Sequence, residues 1–278
     1  MELCKDYKRM FENIVLFGTI YLQLNPSIKS MIVGLSGGID SALTAAIDRE
    51  ICDITGRHRL IGVSIPIESN KQTEIDNGRS IGNAFCHEFR EVKFINNLFK
   101  LFKLFKGRPR TQAGKIRRGN IKARLRMIYL YDKAHRNNGL VLSTDNLSEF
   151  NLGFWTLHGD VGDLGFIQQL WKTEVYGVAG YLCEKYDESS FGKLDWEIYY
   201  RKILSLRQSM TAVPTDGLGV STSDFDQLGV STYNEVDRIL IDHINGADIK
   251  AHPIIKRHVK YAFKRENPHN ISREQILS

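Results

Sequence analysis

Apolar positions along the chain fall into two alternating patterns. Met31 to Leu35 is a short, continuous apolar run, the pattern of a strand buried on both faces of a parallel sheet. Leu60-Ile61-Gly62-Val63-Ser64-Ile65 repeats it and is ended by Pro66. Glu91 to Ile95 reads as a short third strand, and Gly139-Leu140-Val141-Leu142-Ser143 as a fourth. Between these runs the spacing becomes helical. Asp40 to Thr55 carries Ala42, Leu43, Ala45, Ala46 and Ile47, and Thr73 to Glu88 turns Ile75, Ile81, Ala84 and Phe85 inward. Strand, helix, strand, helix, strand in this order predicts an α/β fold. Its core is a doubly wound parallel sheet of about five strands, flanked by helices and joined by right-handed crossovers. Ligands in such sheets bind beyond the carboxyl ends of the strands.

The remaining apolar stripes predict further helices. Tyr7 to Leu24 is amphipathic and stops at Asn25-Pro26. Its apolar face is wide enough for a partner subunit as well as the core, although core packing alone also accounts for the pattern. Helices are also predicted from Gly119-Asn120 to about His135, opening at Leu170 to Tyr176, over Trp196 to Leu206, beginning within Leu228 to Asp237 and running to Ile244, and over Ile254 to Phe263. Thr144 to Glu149 opens another, with Asp145 or Asn146 as its cap. Gly153 to Asp163 is too rich in glycine for either regular pattern and reads as a shaped loop over a ligand.

Charge and composition narrow the function. The 278 residues carry a net charge of +6 and a pI of about 9.0, which suits polyanionic ligands. Twelve lysines and arginines and no acid lie between Lys93 and Arg126, and Phe94, Phe99, Phe102 and Phe105 interleave the first of them. That mixture fits nucleic acid, or a helix with buried rings and solvated lysines; the second reading is preferred, with no nucleic-acid partner. The longest uncharged run, Asn13 to Ile28, is too short to span a bilayer, and no signal peptide precedes it. Cys4, Cys52, Cys86 and Cys183 form no close pair, so they read as reduced thiols of a cytoplasmic protein.

The most specific chemistry follows the first strand. Ser36-Gly37-Gly38-Ile39-Asp40-Ser41 joins a buried strand to a helix N-terminus, where glycines let backbone N–H groups close on a phosphate. There is no Gly-Lys-Ser/Thr, so this is not the loop that cleaves at a γ-phosphate. Asp40 inside an anion site implies Mg²⁺ between the carboxylate and a pyrophosphate. Glu149, beyond the fourth strand, would converge on the same cation. The plainer alternative is a capped turn with Asp40 as a first-turn acid.

The loop resembles that of the ATP pyrophosphatases, which split ATP between its α- and β-phosphates. Further segments narrow the likeness to one family. Arg118-Gly119-Asn120, Lys122-Ala123-Arg124 and Arg126-Met127 resemble a signature of the NAD synthetases. So do Gly153-Phe154-Trp155-Thr156, Gly159-Asp160, Gly162-Asp163, Leu170-Trp171-Lys172, Pro214-Thr215 and Leu228-Gly229 through Asp237. The resemblance implies an adenine-nucleotide α-hydrolase-like fold over residues 1–278, one synthetase domain without a glutaminase domain, since thirty residues before Met31 cannot hold one. It implies ATP contacts at Gly34, Leu35, Ser36, Gly37, Gly38, Ile39, Asp40, Ser41, Thr144, Lys172 and Thr215, and Mg²⁺ on Asp40 and Glu149. Arg124, Asp163 and Lys264 would bind deamido-NAD, and Asp160 and Lys172 would be catalytic. Two positions depart from the family: Leu157 stands where many short bacterial enzymes have lysine, and Phe263 where they have histidine.

The expected reaction is amidation of deamido-NAD by free ammonia, with ATP as co-substrate, through an adenylated carboxylate, in a homodimer. Ser221 to Gln227 is the expected cover of the site. The competing readings are another ATP pyrophosphatase acting on tRNA, and a non-catalytic nucleotide or nucleic-acid binder.

Overall fold

The computed structural model describes residues 1–93, 111–191, 194–212, 225, 228–266, 272 and 273. Five parallel strands, β1 (Ser30–Gly34), β2 (Arg59–Ser64), β3 (Glu88–Glu91), β4 (Gly139–Ser143) and β5 (Leu164–Gly165), form one sheet in the order β3-β2-β1-β4-β5. β1 is central, with Ile32 in register with Ile61 on one side and Val141 on the other. A central strand is covered on both faces, which is why its sequence is apolar without alternation. The chain runs outward through β2 and β3, then returns to pair β4 with the other edge of β1. The order reverses at β1/β4, and this leaves a crevice beyond their carboxyl ends.

Side chains alternate between faces, as the pleat requires. Met31, Val33 and Leu60 pack under α1 (Tyr7–Leu24), α2 (Ile39–Thr55), α3 (Gln72–Phe85), α6 (Lys172–Ser190) and α7 (Trp196–Thr211). Ile32, Ile61, Val63 and Val141 pack under α4 (Gln112–Arg136) through Leu125, Met127, Leu130 and Ala134. A third cluster joins α5 (Leu147–Leu152), α8 (Tyr233–Ile244) and α9 (Pro253–Lys260) around Trp171, next to the loop that leaves β4.

Several boundaries differ from the sequence reading. α3 ends at Phe85 and β3 spans Glu88–Glu91, three residues before the expected strand, because His87 N–H donates to the Leu60 carbonyl (2.9 Å) and starts the ladder there. β3 is a half-buried edge strand of Glu-Phe-Arg-Glu, so no apolar run marks it. α4 begins at Gln112, where Thr111 Oγ1 accepts from Gly114 N–H (3.1 Å), so Gly119 and Asn120 lie inside the helix rather than at its start. α7 continues to Thr211. α9 stops at Lys260, and Ala262–Arg265 forms a separate 3₁₀ turn. Asn146, not Asp145, caps α5. Asp145 turns inward to Ser143 and Gln168. Thr215, Phe94 to Phe105 and all of Ser221 to Gln227 except Phe225 lie outside the described residues.

α1 buries Phe11, Val15 and Leu22 and leaves Leu16, Phe17, Ile20, Tyr21 and Leu24 exposed, so its wide apolar stripe is only half used within the chain.

Candidate active site

The crevice between β1 and β4 is floored by the Ser36–Ser41 loop. Gly37 has φ +89°, in the left-handed region, and a Cβ there would overlap the Glu74 carbonyl of α3. Gly38 is extended and begins α2 without any side-chain cap, so the first-turn N–H donors of α2 remain available to a ligand. Ser36 Oγ accepts from Gly38 N–H (3.3 Å), and Ser41 Oγ–H donates to the Gly38 carbonyl (3.0 Å), which holds the turn in shape.

Above this loop, three charged side chains from three separate elements meet. Lys172 Nζ, at the start of α6, donates to Asp40 Oδ2 and to Glu149 Oε1, the latter at 3.3 Å. Its side chain is 4% exposed, against 18% and 19% for the two carboxylates. Burial disfavours the charge on Lys172, but Asp40 and Glu149 outweigh it and hold the ammonium above the ordinary lysine range. The Tyr233 ring lies 5.3 Å from Nζ and adds a cation–π contact. Asn146 organises both acids. Its Nδ2 donates to Asp40 Oδ1 (2.9 Å), and its Oδ1 accepts from Glu149 N–H (3.0 Å) as the cap of α5.

Beside this cluster is a cavity of about 160 Å³ lined by Gly34, Leu35, Ile65, Arg126, Thr144 and Asp160, with Ser36 at its edge. Asp160 opens onto it and is wetted there, but protein surrounds the rest of the carboxyl. This desolvation raises its pKa, opposed by the Thr156 N–H that donates to Oδ2 (2.5 Å) and by Arg126. Arg126 donates through Nε to the Ile65 carbonyl (3.1 Å) and through Nη2 to Asn70 Oδ1 (3.3 Å). It makes no contact ion pair with a described residue, although Asp160, Glu68 and Glu74 lie near enough to favour its charge, so a half-buried guanidinium lines the cavity. Such a group suits an anionic ligand.

The structure thus brings together Gly34 to Ser41, Thr144, Glu149, Asp160 and Lys172. It does not place Arg124, Asp163 and Lys264 with them. Arg124 and Lys264 are occupied by carbonyls of the loop from Gly153 to Asp163, and Asp163, the last residue of that loop, by α4 and β4. Arg124 Nε donates to the Leu157 carbonyl (3.1 Å). Lys264 Nζ donates to the carbonyls of Gly153 (2.7 Å) and Trp155 (2.5 Å). Asp163 accepts from Tyr131 Oη–H (2.9 Å) and Val141 N–H (3.0 Å), which ties the loop to the edge of β4. Asn120 adds a fourth tie, through the Thr156 hydroxyl (2.8 Å). Sequence reasoning gave no role to Asn146 beyond a cap, nor any to Arg126 or Tyr233. Arg126 was visible as part of a basic signature, but nothing in the sequence distinguished it from its solvated neighbours.

An uncapped helix N-terminus, a buried lysine between two acids and a switch-point crevice define a nucleotide-dependent α/β enzyme that handles phosphates. The chain belongs to the NAD synthase family, whose model matches residues 10–268, and it is a ligase. It is 30% identical over 274 residues to the NH(3)-dependent NAD(+) synthetase of Thermoplasma acidophilum, covering 96% of this chain and 99% of that one. Two solved structures share the fold. One is the NMN synthetase of Francisella tularensis (TM-score 0.72, 22% identity, 96% of this chain and 97% of that one). The other is the NH3-dependent NAD synthetase of Campylobacter jejuni (TM-score 0.64, 23% identity, 96% and 100%).

Proposed function

We propose that this chain amidates the nicotinate carboxylate of deamido-NAD with ammonia, at the expense of ATP, yielding NAD, AMP and pyrophosphate. The observation that carries this reading is the convergence of Asp40, Glu149 and Lys172 over the uncapped start of α2. The family membership and the names of the relatives support the same reaction.

The donor set fits Mg²⁺. Asp40 and Glu149 both reach Lys172 Nζ from the side of the Ser36–Ser41 loop, so two carboxylates lie together beside the anion site. Mg²⁺ commonly takes one or two protein carboxylates and completes its shell with phosphate oxygens and water. Asp40 and Glu149 would hold it, and it would supply positive charge at the departing pyrophosphate.

The chain's own groups carry the remaining tasks. The N–H groups of the Ser36–Ser41 loop and Lys172 bind the ATP phosphates, with Thr144 and Thr215 as further contacts. The substrate carboxylate, held in line with the α-phosphorus, attacks it and expels pyrophosphate. Ammonium loses a proton to Asp160, and the ammonia formed attacks the carbonyl carbon of the adenylate; the C–O bond to AMP breaks, AMP leaves with the electron pair, and the nitrogen releases a second proton to water as the amide forms. Arg124, Asp163 and Lys264 shape the loop that borders deamido-NAD. Residues 1–278 act as one synthetase unit in the cytoplasm. A homodimer would cover the exposed apolar residues of α1, together with Ile128 and Tyr131 of α4.

Incubation with ATP, Mg²⁺, ammonium and deamido-NAD should give NAD and AMP in equal amounts. Formation of ADP and phosphate instead would overturn the reading.

A further inference from the structure

We propose that Asp237 is a positioning residue that sets Glu149 and Lys172 in register over the phosphate site; this rests on the function proposed above. Asp237 lies on α8 and its side chain is wholly buried. Among the described residues its hydrogen bonds go to Ser148 and Thr173 rather than to the Ser36–Ser41 loop. Its Oδ1 accepts from the Ser148 hydroxyl. Its Oδ2 accepts from Thr173 N–H (2.9 Å) and from the Thr173 hydroxyl (2.6 Å). Ser148 Oγ in turn accepts from Lys172 N–H (2.8 Å).

The consequence follows from the sequence neighbours of these groups. Ser148 immediately precedes Glu149 on α5, and Thr173 immediately follows Lys172 on α6. One carboxylate therefore fastens the two helix starts that carry the acid and the base. The N–H groups of Lys172 and Thr173 are first-turn donors of α6 with no intrahelical partner, and Ser148 and Asp237 satisfy both. Hydrogen bonds to an ionised acceptor are short and directional, so they restrict the angle between α5 and α6 more than apolar packing would. Tyr233, one turn earlier on the same face of α8, contacts Lys172 Nζ with its ring. α8 thus supports Lys172 at both its backbone and its ammonium.

Asp237 accepts from Thr173 N–H, the Thr173 hydroxyl and the Ser148 hydroxyl, so an apolar replacement leaves buried donors unpaired and costs stability as well. A positioning role is separated from that cost by its effect on turnover per folded molecule.

The test compares Asp237→Leu, Asp237→Asn and Ser148→Ala with the unmodified enzyme, each normalised to folded protein by circular dichroism and thermal melting. Asp237→Leu should lower kcat by roughly 10–100-fold, as loss of an orienting partner does, while KM for deamido-NAD stays within about twofold. Asp237→Asn keeps one carbonyl acceptor and should recover part of kcat. Ser148→Ala should lower kcat in the same direction, and with Asp237→Asn it decides the matter if Asp237→Leu does not fold. Variants that melt earlier but keep full kcat per folded molecule would overturn the proposal, as would a fall confined to substrate KM. If the unmodified enzyme fails to make NAD, the functional reading falls and the positioning role falls with it.

Discussion

Asn146 Nδ2 donates to Asp40 Oδ1 at 2.9 Å, which links the loop leaving β4 to the first turn of the helix after β1. The same side chain caps α5 at Glu149, so one amide orients both acids that face the phosphate site. Asn146→Ala should cost about 1 kcal/mol of stability for the lost cap and also reduce turnover. Asn146→Asp keeps a capping oxygen but sets a carboxylate against Asp40. It should melt close to the unmodified protein and yet lose activity, and a joint measurement of Tm and kcat separates the two effects.

Lys172 pairs with both Asp40 and Glu149. Lys172→Met should lower turnover by about 10²–10³, the usual effect of losing one electrostatic stabiliser. It also removes the ammonium that both carboxylates share, so the variant should melt earlier than the unmodified protein. Full turnover per folded molecule would contradict the role of the pairing.

Gly37→Ala introduces a Cβ that overlaps the Glu74 carbonyl, in a residue whose φ is +89°. The loop must then move off α3, and the N–H groups that face the anion lose their alignment. ATP binding measured by calorimetry should fall sharply. Gly56→Ala, at φ +64° with open space around it, should cost only modest stability and leave ATP binding intact.

Asp160 combines a structural contact, from Thr156 N–H to Oδ2, with a place on the cavity wall. If it accepts the ammonium proton, Asp160→Asn should still adenylate deamido-NAD but amidate slowly. Rapid-quench sampling should show accumulated adenylate, or AMP in excess of NAD, and a raised KM for ammonium with little change for ATP. If it only holds the loop, both half-reactions should weaken together.

Asp48 is a fully buried carboxyl in α2 whose Oδ1 has no hydrogen-bond partner, while its Oδ2 accepts from the Cys52 thiol (3.6 Å). Desolvation pushes it up to about 7, the Cys52 contact opposing. The folded state keeps this proton after the unfolded chain has lost it. Stability therefore falls as pH rises between about 4 and 7, by roughly 1.4 kcal/mol per unit, and levels off above. Asp48→Asn removes that slope. Its Tm advantage over the unmodified protein should grow from pH 4.5 to pH 7 and then stay constant.

The sequence by itself determined the frame of this protein. Short apolar runs bounded by turn residues fit strands covered on both faces, and the helical spacing between them fits crossovers, so β1, β2, β4 and the parallel order were legible. The Ser36–Ser41 loop was legible too, because backbone geometry demands glycine where N–H groups must close on an anion. Family-like segments placed Glu149 and Lys172 in the reading before any contact was known. Tertiary structure decided what those residues touch. β3 was legible only to within three residues, because an edge strand needs no apolar alternation, and the start of α4 escaped because its first turns carry almost no core. Arg124 and Lys264 turn to the backbone of a single loop, and Asp163 fastens that loop to Tyr131 of α4 and Val141 of β4, a choice made by the docking of the loop on those elements. Asn146, Arg126 and Asp237 gained their roles in the same way. A polar side chain's function depends on the partners that folding brings within about 3 Å, and those partners lie tens of residues away in the chain.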